Sequence, residues 1–388
     1  MRRFPTPDFE WYPTDPAAVA ASLGAEGLHV TWADGHSSAF HPSWLRDNCA
    51  CTDCIDPVSR ERAGGFLDMP AHPAIDEVAV DEGGVRLRWR DGHVSEVHPG
   101  WLRHFDYVGG ARPSAPDRDA PWSADAGIPS HSAAEFVADH RTQHRALSDL
   151  VSHGLVVLTD LDPDMASFEA LVARVGLIRN MNWAPIFEID VNDEPYIANR
   201  TGALEAHSDA STRDHRPGVV VFHAIENTVV GGESFFVDCR HVARLLRDED
   251  PSAHNLLATV PLEFANRSLG THYRTVSPVL TLDADGDVES VCDTVWLREP
   301  LRIDPDLMGD FYAAYRRWSE IKADPANQVE HQVIDGEVML IDNLRVMHGR
   351  RAFDATNGRR RIRTAYVDRE ELLSSVRLHR RRVHSSAV

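Results

Sequence analysis

Lysine is almost missing from this chain. Of its 40 basic residues in 388, Lys322 is the only lysine, and the rest are arginine. Acidic residues number 60, which leaves a formal net charge of −20. That balance excludes a general nucleic-acid binder, because neutralising phosphates takes clustered Lys and Arg in excess. It implies solubility and says little about fold. The arginine bias points to a GC-rich coding sequence, with a salt-adapted host as the second reading of the acidic excess. Also absent is any run of about 18 apolar residues, so no membrane-spanning helix is expected. The basic pair near the start is not followed by an apolar run, so no secretory signal is expected and a cytoplasmic location follows. Cysteine is scarce. Of five, Cys239 and Cys292 are isolated, while Cys49, Cys51 and Cys54 fall within six residues. An odd, clustered set points to a metal site rather than a disulfide framework. There is no Gly-rich phosphate loop either, since residues 229–234 (VVGGES) lack the spacing.

What is present begins with length, which suggests two domains. The first hundred residues contain an internal repeat: Trp32–Arg46 (WADGHSSAFHPSWLR) returns as Trp89–Arg103 (WRDGHVSEVHPGWLR). Each copy follows an alternating strand, Leu28–Trp32 or Val85–Trp89, and opens on an Asp-Gly turn, the mark of a β-hairpin. Residues 1–112 are therefore expected to form a small β domain. Residues 113–130, rich in Pro, Ala, Ser and Asp, read as a linker, and 131–388 as the second domain. That domain shows helical stretches at Ala133–Gly154 and Phe168–Val175. Strand-like runs follow at Leu155–Thr159, Val219–His223, Glu233–Val237, Val279–Leu282, Val338–Ile341 and Ile362–Val367. Asp304–Lys322 carries an amphipathic helical pattern with an Asp-Pro start. Short strands without βαβ alternation exclude a Rossmann sheet and predict a jelly roll or similar double sheet: mainly β, with flanking helices.

Three constellations carry chemistry. His207-Ser-Asp209 sits where strand residues i and i+2 share a face, so imidazole and carboxylate can hold one ion. His348, just after the apolar strand Val338–Ile341, is the best candidate for a third ligand. Two histidines and one carboxylate leave open positions on Fe(II), as an oxygenase requires. The arginine run Arg359–Arg363 can supply a fork for a carboxylate. Cys49, Cys51 and Cys54 need one more ligand to close a tetrahedral zinc site, and His36, His93, His41 and His98 compete for it.

Together these segments resemble the γ-butyrobetaine and trimethyllysine dioxygenase family, relatives of taurine dioxygenase. The resemblance rests on residues 207–209 (HSD), 217–223 (PGVVVFH), 228–234 (TVVGGES), 342–351 (DNLRVMHGRR), 360–366 (RRIRTAY) and 44–54 (WLRDNCACTDC). It implies a double-stranded β-helix (jelly-roll) oxygenase domain behind a zinc-binding β domain. It also implies Fe(II) on His207, Asp209 and His348, and a structural zinc on Cys49, Cys51, Cys54 and His93. The cosubstrate 2-oxoglutarate is expected on Arg360 with Ser234, with Arg361 as the alternate. A homodimer is implied, acting on a small quaternary amine with O2 and needing neither membrane nor nucleic acid. Tyr366, Trp183 and Phe187 match positions of an aromatic cage for a trimethylammonium group, held by cation–π attraction. Asn199 stands where animal relatives carry a cage tyrosine, and Asn199, Arg200 and Arg298 are candidates for the substrate's acidic end. γ-Butyrobetaine, hydroxylated to carnitine, is the leading substrate. Trimethylaminoethylphosphonate and trimethyllysine are the alternatives. Two readings from other classes compete: a zinc-containing interaction module with a decayed oxygenase domain, and a metal-dependent hydrolase. The hydrolase commonly uses two metals about 4 Å apart, and no second ligand cluster occurs in the catalytic half.

Overall fold

The protein is described by a computed structural model covering residues 4–81, 84–107, 121–190, 197–268, 270–356 and 358–385. It divides into two compact units, Met1–Pro116 and Asp117–Val388.

In the first unit the repeat gives two copies of one three-stranded sheet followed by a short helix. The first copy is β1 (Ala18–Gly24), β2 (Gly27–Trp32), β3 (Ser37–Phe40) and α1 (Pro42–Asp47). The second is β4 (Ile75–Asp81), β5 (Gly84–Trp89), β6 (Val94–Val97) and α2 (Pro99–His104). Gly35 and Gly92 take φ values of 83° and 87° at the Asp-Gly turns, a conformation open to glycine at no steric cost. Leu28, Val30, Trp32, Val85, Leu87 and Trp89 alternate into a single shared core. The strands β1 and β4 are additions to the expected hairpins; their polar-rich sequence carries no clean alternation.

The second unit opens with β7 (Ser130–Ser132), α3 (Ala133–Ala138) and α4 (His140–His153). The expected single helix over 133–154 is broken at Asp139. That residue is extended, and its carboxylate accepts from Thr142 N (2.8 Å), capping α4. There follow β8 (Leu155–Thr159), α5 (Met165–Val175), β9 (Ile186–Asp190), β10 (Leu204–His207), β11 (Val219–Asn227), β12 (Val230–Gly231) and β13 (Ser234–Asp238). Next come α6 (Cys239–Glu249), α7 (Pro251–Thr259) and two hairpins: β14 (Leu262–Arg267) with β15 (His272–Ser277), then β16 (Leu280–Leu282) with β17 (Val288–Val291). After α8 (Pro305–Ala323) run β18 (Val329–His331), β19 (Val338–Asp342), β20 (Val346–Arg350), β21 (Phe353–Asp354), β22 (Arg360–Val367) and α9 (Arg369–Ser385).

Two sheets dominate. One has six strands in the order β7-β8-β19-β11-β22-β9, and the other four in the order β10-β20-β13-β18. Their inner faces share a core that includes Val220, Ile341 and Ile362 from the first and Phe236, Val346 and Val329 from the second. Along β11, Val219 and Val221 instead face α4 and α5, so the six-stranded sheet is covered on both sides. The outer face of β13, through Phe235 and Val237, packs with α6, α7 and α8. The architecture is thus mainly sheet, with helices on the outside. Residues 108–120, which include the first part of the composition-based linker, lie outside the described residues. Trp122 beyond them is buried in the inter-sheet core and donates to the His153 carbonyl (2.8 Å), so the second unit already includes it. No helix among the described residues is long and apolar enough to cross a membrane.

The sole lysine is part of this architecture. Lys322 Nζ lies 2.6 Å from Asp293 Oδ2, with side-chain exposures of 4% and 1%. Asp293 also accepts from Tyr315 Oη (2.6 Å) and Trp318 Nε1 (2.8 Å), both on α8. Lys322 further donates to the Ala206 carbonyl (3.2 Å), and Ser208 and Asp293 exchange hydrogen bonds, N–H to carbonyl at 2.9 Å and N–H to Oγ at 3.0 Å. The network therefore clamps the backbone on both sides of His207. Lys322→Met leaves a buried carboxylate unpaired, and we expect a loss of about 3–5 kcal/mol in urea unfolding of the full chain. Adding Asp293→Asn to that variant should return about 1 kcal/mol or more, because it removes the uncompensated charge.

Candidate active site

The second unit brings His207, Asp209 and His348 together, with donor atoms all within 4.8 Å of one another. Pairing of β10 with β20 sets His207 directly opposite His348. A bulge between Leu204 and His207 makes that register possible. The Glu205 carbonyl takes His207 Nδ1 at 2.8 Å, which leaves Nε2 for the cavity. Asp209 follows the strand, ahead of a left-handed residue, Ala210 (φ 57°). Asn343 fixes its backbone: Oδ1 accepts from Asp209 N (2.7 Å), and Nδ2 donates to the Asp209 and Pro217 carbonyls (3.0 Å each). His207 Nε2 lies 3.3 Å from Asp209 Oδ1, and His348 Nε2 lies 3.7 Å from Oδ2. These separations are long for charged hydrogen bonds. They suit neighbouring ligands around one ion.

The electrostatics agree. Burial pushes the His348 imidazole down to about 4, so at neutral pH it offers a lone pair. Burial alone would raise the Asp209 carboxyl. The histidine charges and hydrogen bonds from His207 and Tyr366 overturn that and hold it well below the usual carboxylate range. Tyr366 Oη donates to Asp209 Oδ2 at 2.9 Å. Two imidazoles and a carboxylate on one face are a donor set that fits Fe(II).

These groups open into a cavity of about 890 Å³. Arg360 lines it, and its Nε is buried without a protein partner. Burial, with Arg350 close by, pulls the guanidinium down to about 9. Ser234 also lines the cavity, opposite Arg350 in the β13–β20 pair. Arg361 does not line it; one residue along β22, it donates to Glu188 (2.7 Å) instead. A buried cation with no acid paired to it among the described residues fits a carboxylate ligand such as the far end of 2-oxoglutarate.

Trp183, Phe187 and Tyr366 meet on one wall, with ring centroids 5.7, 6.1 and 6.4 Å apart. Asn199 is buried and lines the cavity. Arg200 and Arg298 do not; Arg298 lies over the Tyr315 ring at 4.3 Å. Sequence reasoning missed Trp296, edge-on to His207 at 4.7 Å, and Phe222, edge-on to His348 at 5.4 Å. The period-two alternation of β11 could have pointed Phe222 inward with Val220; nothing in the sequence around Trp296 singles it out. Arg213 was missed as well and lines the cavity.

In the first unit, His93 Nε2 faces the Cys49, Cys51 and Cys54 sulfurs at 3.3, 3.5 and 3.7 Å. The edge of a zinc tetrahedron with sulfur and nitrogen corners is about 3.6 Å, so the set is compatible with zinc. Burial pushes the Cys49 thiol up to about 12, a site in which a free thiolate is disfavoured without a cation. Donors nevertheless reach the sulfurs: Ser95 Oγ to Cys49 (3.1 Å) and Arg46 Nη1 to Cys54 (3.3 Å). The competing histidines are otherwise engaged. His36, the repeat equivalent of His93, meets Asp106 at 2.6 Å, and His41 and His98 cap α1 and α2.

Comparison with known proteins places the chain. Residues 112–366 match the family described as taurine catabolism dioxygenase TauD, TfdA family, and residues 21–102 match the gamma-butyrobetaine hydroxylase-like N-terminal family. The gamma-butyrobetaine dioxygenase of Pseudomonas sp. (strain AK-1) is 35% identical, over 95% of this chain and 98% of its own. The Homo sapiens gamma-butyrobetaine dioxygenase is 27% identical, over 93% and 96%. The mitochondrial trimethyllysine dioxygenase of Gallus gallus is 26% identical, over 97% and 92%. Matched along nearly its whole length, the chain belongs to the TauD, TfdA family as an Fe(II)- and 2-oxoglutarate-dependent dioxygenase with a gamma-butyrobetaine hydroxylase-like N-terminal region.

Proposed function

We propose that the protein hydroxylates a small trimethylammonium compound with an acidic tail, with γ-butyrobetaine to carnitine as the leading reaction. The observation that carries this is the double position of Tyr366. Its ring closes the aromatic trio, while its hydroxyl holds the Asp209 carboxylate. A quaternary ammonium has no N–H to donate, so aromatic faces are its natural partners. Held there, its carbon chain lies beside the three donor atoms.

In this reading His207, Asp209 and His348 hold the iron. Arg360 and Ser234 hold the far carboxylate of 2-oxoglutarate. When bound, Fe(II) with 2-oxoglutarate and O2 supplies an oxidant for an unactivated C–H bond, releasing succinate and carbon dioxide. The residues contribute placement: Asn343 fixes the Asp209 backbone and Tyr366 its carboxylate, the Glu205 carbonyl fixes the His207 ring, and Trp296 and Phe222 pack edge-on against the two histidines. The two facing sheets are read as the double-stranded β-helix of the family. The four ligands Cys49, Cys51, Cys54 and His93 are read as a closed zinc site that staples a unit with a small core. Residues 1–112 and 131–388 are the proposed functional domains, the second extended at its start by the segment that carries Trp122, and a cytoplasmic homodimer is the proposed form. The relatives named gamma-butyrobetaine dioxygenase favour this reading over an interaction module with a decayed oxygenase domain. A two-metal hydrolase would need a second catalytic cluster; among the described residues of the second unit there is just the single cluster of His207, Asp209 and His348.

Three outcomes check the reading. Arg360→Ala should weaken 2-oxoglutarate binding by about 2–5 kcal/mol, measured calorimetrically on metal-loaded protein, while Arg361→Ala leaves it within about 1 kcal/mol. Metal analysis of protein purified without chelator should find zinc, and Cys51→Ser should lose it together with thermal stability. Finally, γ-butyrobetaine, trimethyllysine and trimethylaminoethylphosphonate should be offered under identical conditions, with product followed by mass. A gain of one oxygen on γ-butyrobetaine is expected, and no product from any of the three would remove the quaternary-amine reading while leaving the iron chemistry in place.

A further inference from the structure

Charges lining the cavity do not balance once 2-oxoglutarate is assigned to Arg360. Glu188 is answered by Arg361 and Arg363, and Arg267 by Glu299. The Arg350 guanidinium is taken up by the carbonyls of Ala198, Arg200 and Gly202. Asp209 belongs to the metal donors. One further lining guanidinium has no carboxylate partner among the described residues, and that is Arg213.

Its placement is built rather than incidental. The left-handed Ala210 closes a turn in which Arg213 N–H donates to the Ala210 carbonyl (3.0 Å), returning the side chain to the cavity four residues after Asp209. The guanidinium carbon lies over the Tyr273 ring of the β14–β15 hairpin, 3.3 Å from its centroid. Its Nη2 donates to Asn182 Oδ1, the residue before Trp183 of the aromatic trio. One wall thus stacks the fork and the other orients it, while the remaining N–H groups meet no acceptor among the described residues. An arginine so held, half-buried and unneutralised, is a receptor for a carboxylate or phosphonate.

We propose that Arg213 binds the anionic end of the substrate while the aromatic trio takes the quaternary ammonium. This rests on the quaternary-amine reading and adds its second anchor. Two charged ends held at two points fix the alkyl chain between them, so that the same carbon is presented to the metal donors at each turnover. Arg213 takes the role for which Arg200 and Arg298 were candidates; neither lines the cavity.

The test compares wild type with Arg213→Gln and Arg213→Lys on three compounds: γ-butyrobetaine, butyltrimethylammonium (the cation without the acid) and 5,5-dimethylhexanoate (the acid with carbon in place of nitrogen). KM is read from product formation, and Kd from calorimetry on the metal- and 2-oxoglutarate-loaded protein without oxygen. Arg213→Gln should raise KM and Kd for γ-butyrobetaine by about 30-fold or more, and those for butyltrimethylammonium by less than about threefold, with Arg213→Lys in between. Unchanged handling of γ-butyrobetaine by Arg213→Gln, or equal losses on both cations, overturns the assignment. A wild type that takes 5,5-dimethylhexanoate as readily as γ-butyrobetaine overturns the quaternary-amine reading instead; loss of that acid in Arg213→Gln would still support Arg213. A wild type that binds none of the three overturns both.

Discussion

Everything at the proposed iron site depends on one strand pairing, β10 against β20, with His207 opposite His348. Side chains directly across an antiparallel pair sit close on one face, so two imidazoles arrive together without help from flexible loops. The pairing is secured from both directions. On one side β20 is bonded to β13, with Phe236 opposite His348 and Ser234 opposite Arg350. On the other, the Lys322–Asp293 pair holds the backbone around His207. Slippage of β10 by one residue would turn His207 away from the cavity and separate it from Asp209.

Charge placement explains why an acidic protein needs arginine where it does. A net charge of −20 says nothing about this interior, where Arg213, Arg350 and Arg360 line one cavity. Burial lowers the affinity of Arg350 and Arg360 for their protons, to about 10 and about 9, and both still remain charged at neutral pH. An anionic cosubstrate on Arg360 relieves that unfavourable state, so binding and neutralisation are one event. Lysine is kept where a compact ammonium must fit between a buried carboxylate and a carbonyl, a geometry a planar guanidinium does not match.

Much of this was legible in the sequence where short motifs coincide with rigid geometry. His207 ends β10 and His348 sits at the centre of β20, so strand geometry carries their direction, while Asp209 lies in the turn just past β10 and reaches the same ion by loop geometry and not by strand alternation. The cysteine cluster was equally plain, while the repeat left four histidines open until the family resemblance pointed to His93. The structure shows what separates the copies: Ser38 and Ser95 both accept from a tryptophan, but Ser38 then meets Asp106 where Ser95 meets Cys49. The order of the two sheets was not legible, because β19 bonds to β8 and β11 across long sequence separations. Nor were Trp296 and Arg213, which reach the cavity from a 3-10 turn and a loop, where no periodicity fixes a side chain's direction.

The central claim is that one paired-strand site holds the iron, and metal occupancy tests it most directly. Protein stripped of iron and reloaded anaerobically with Fe(II) and 2-oxoglutarate should bind one iron per chain, and His348→Ala should lose it by about 100-fold in affinity with its zinc content unchanged. An His348→Ala protein that binds Fe(II) as tightly as wild type and still turns over 2-oxoglutarate would contradict it.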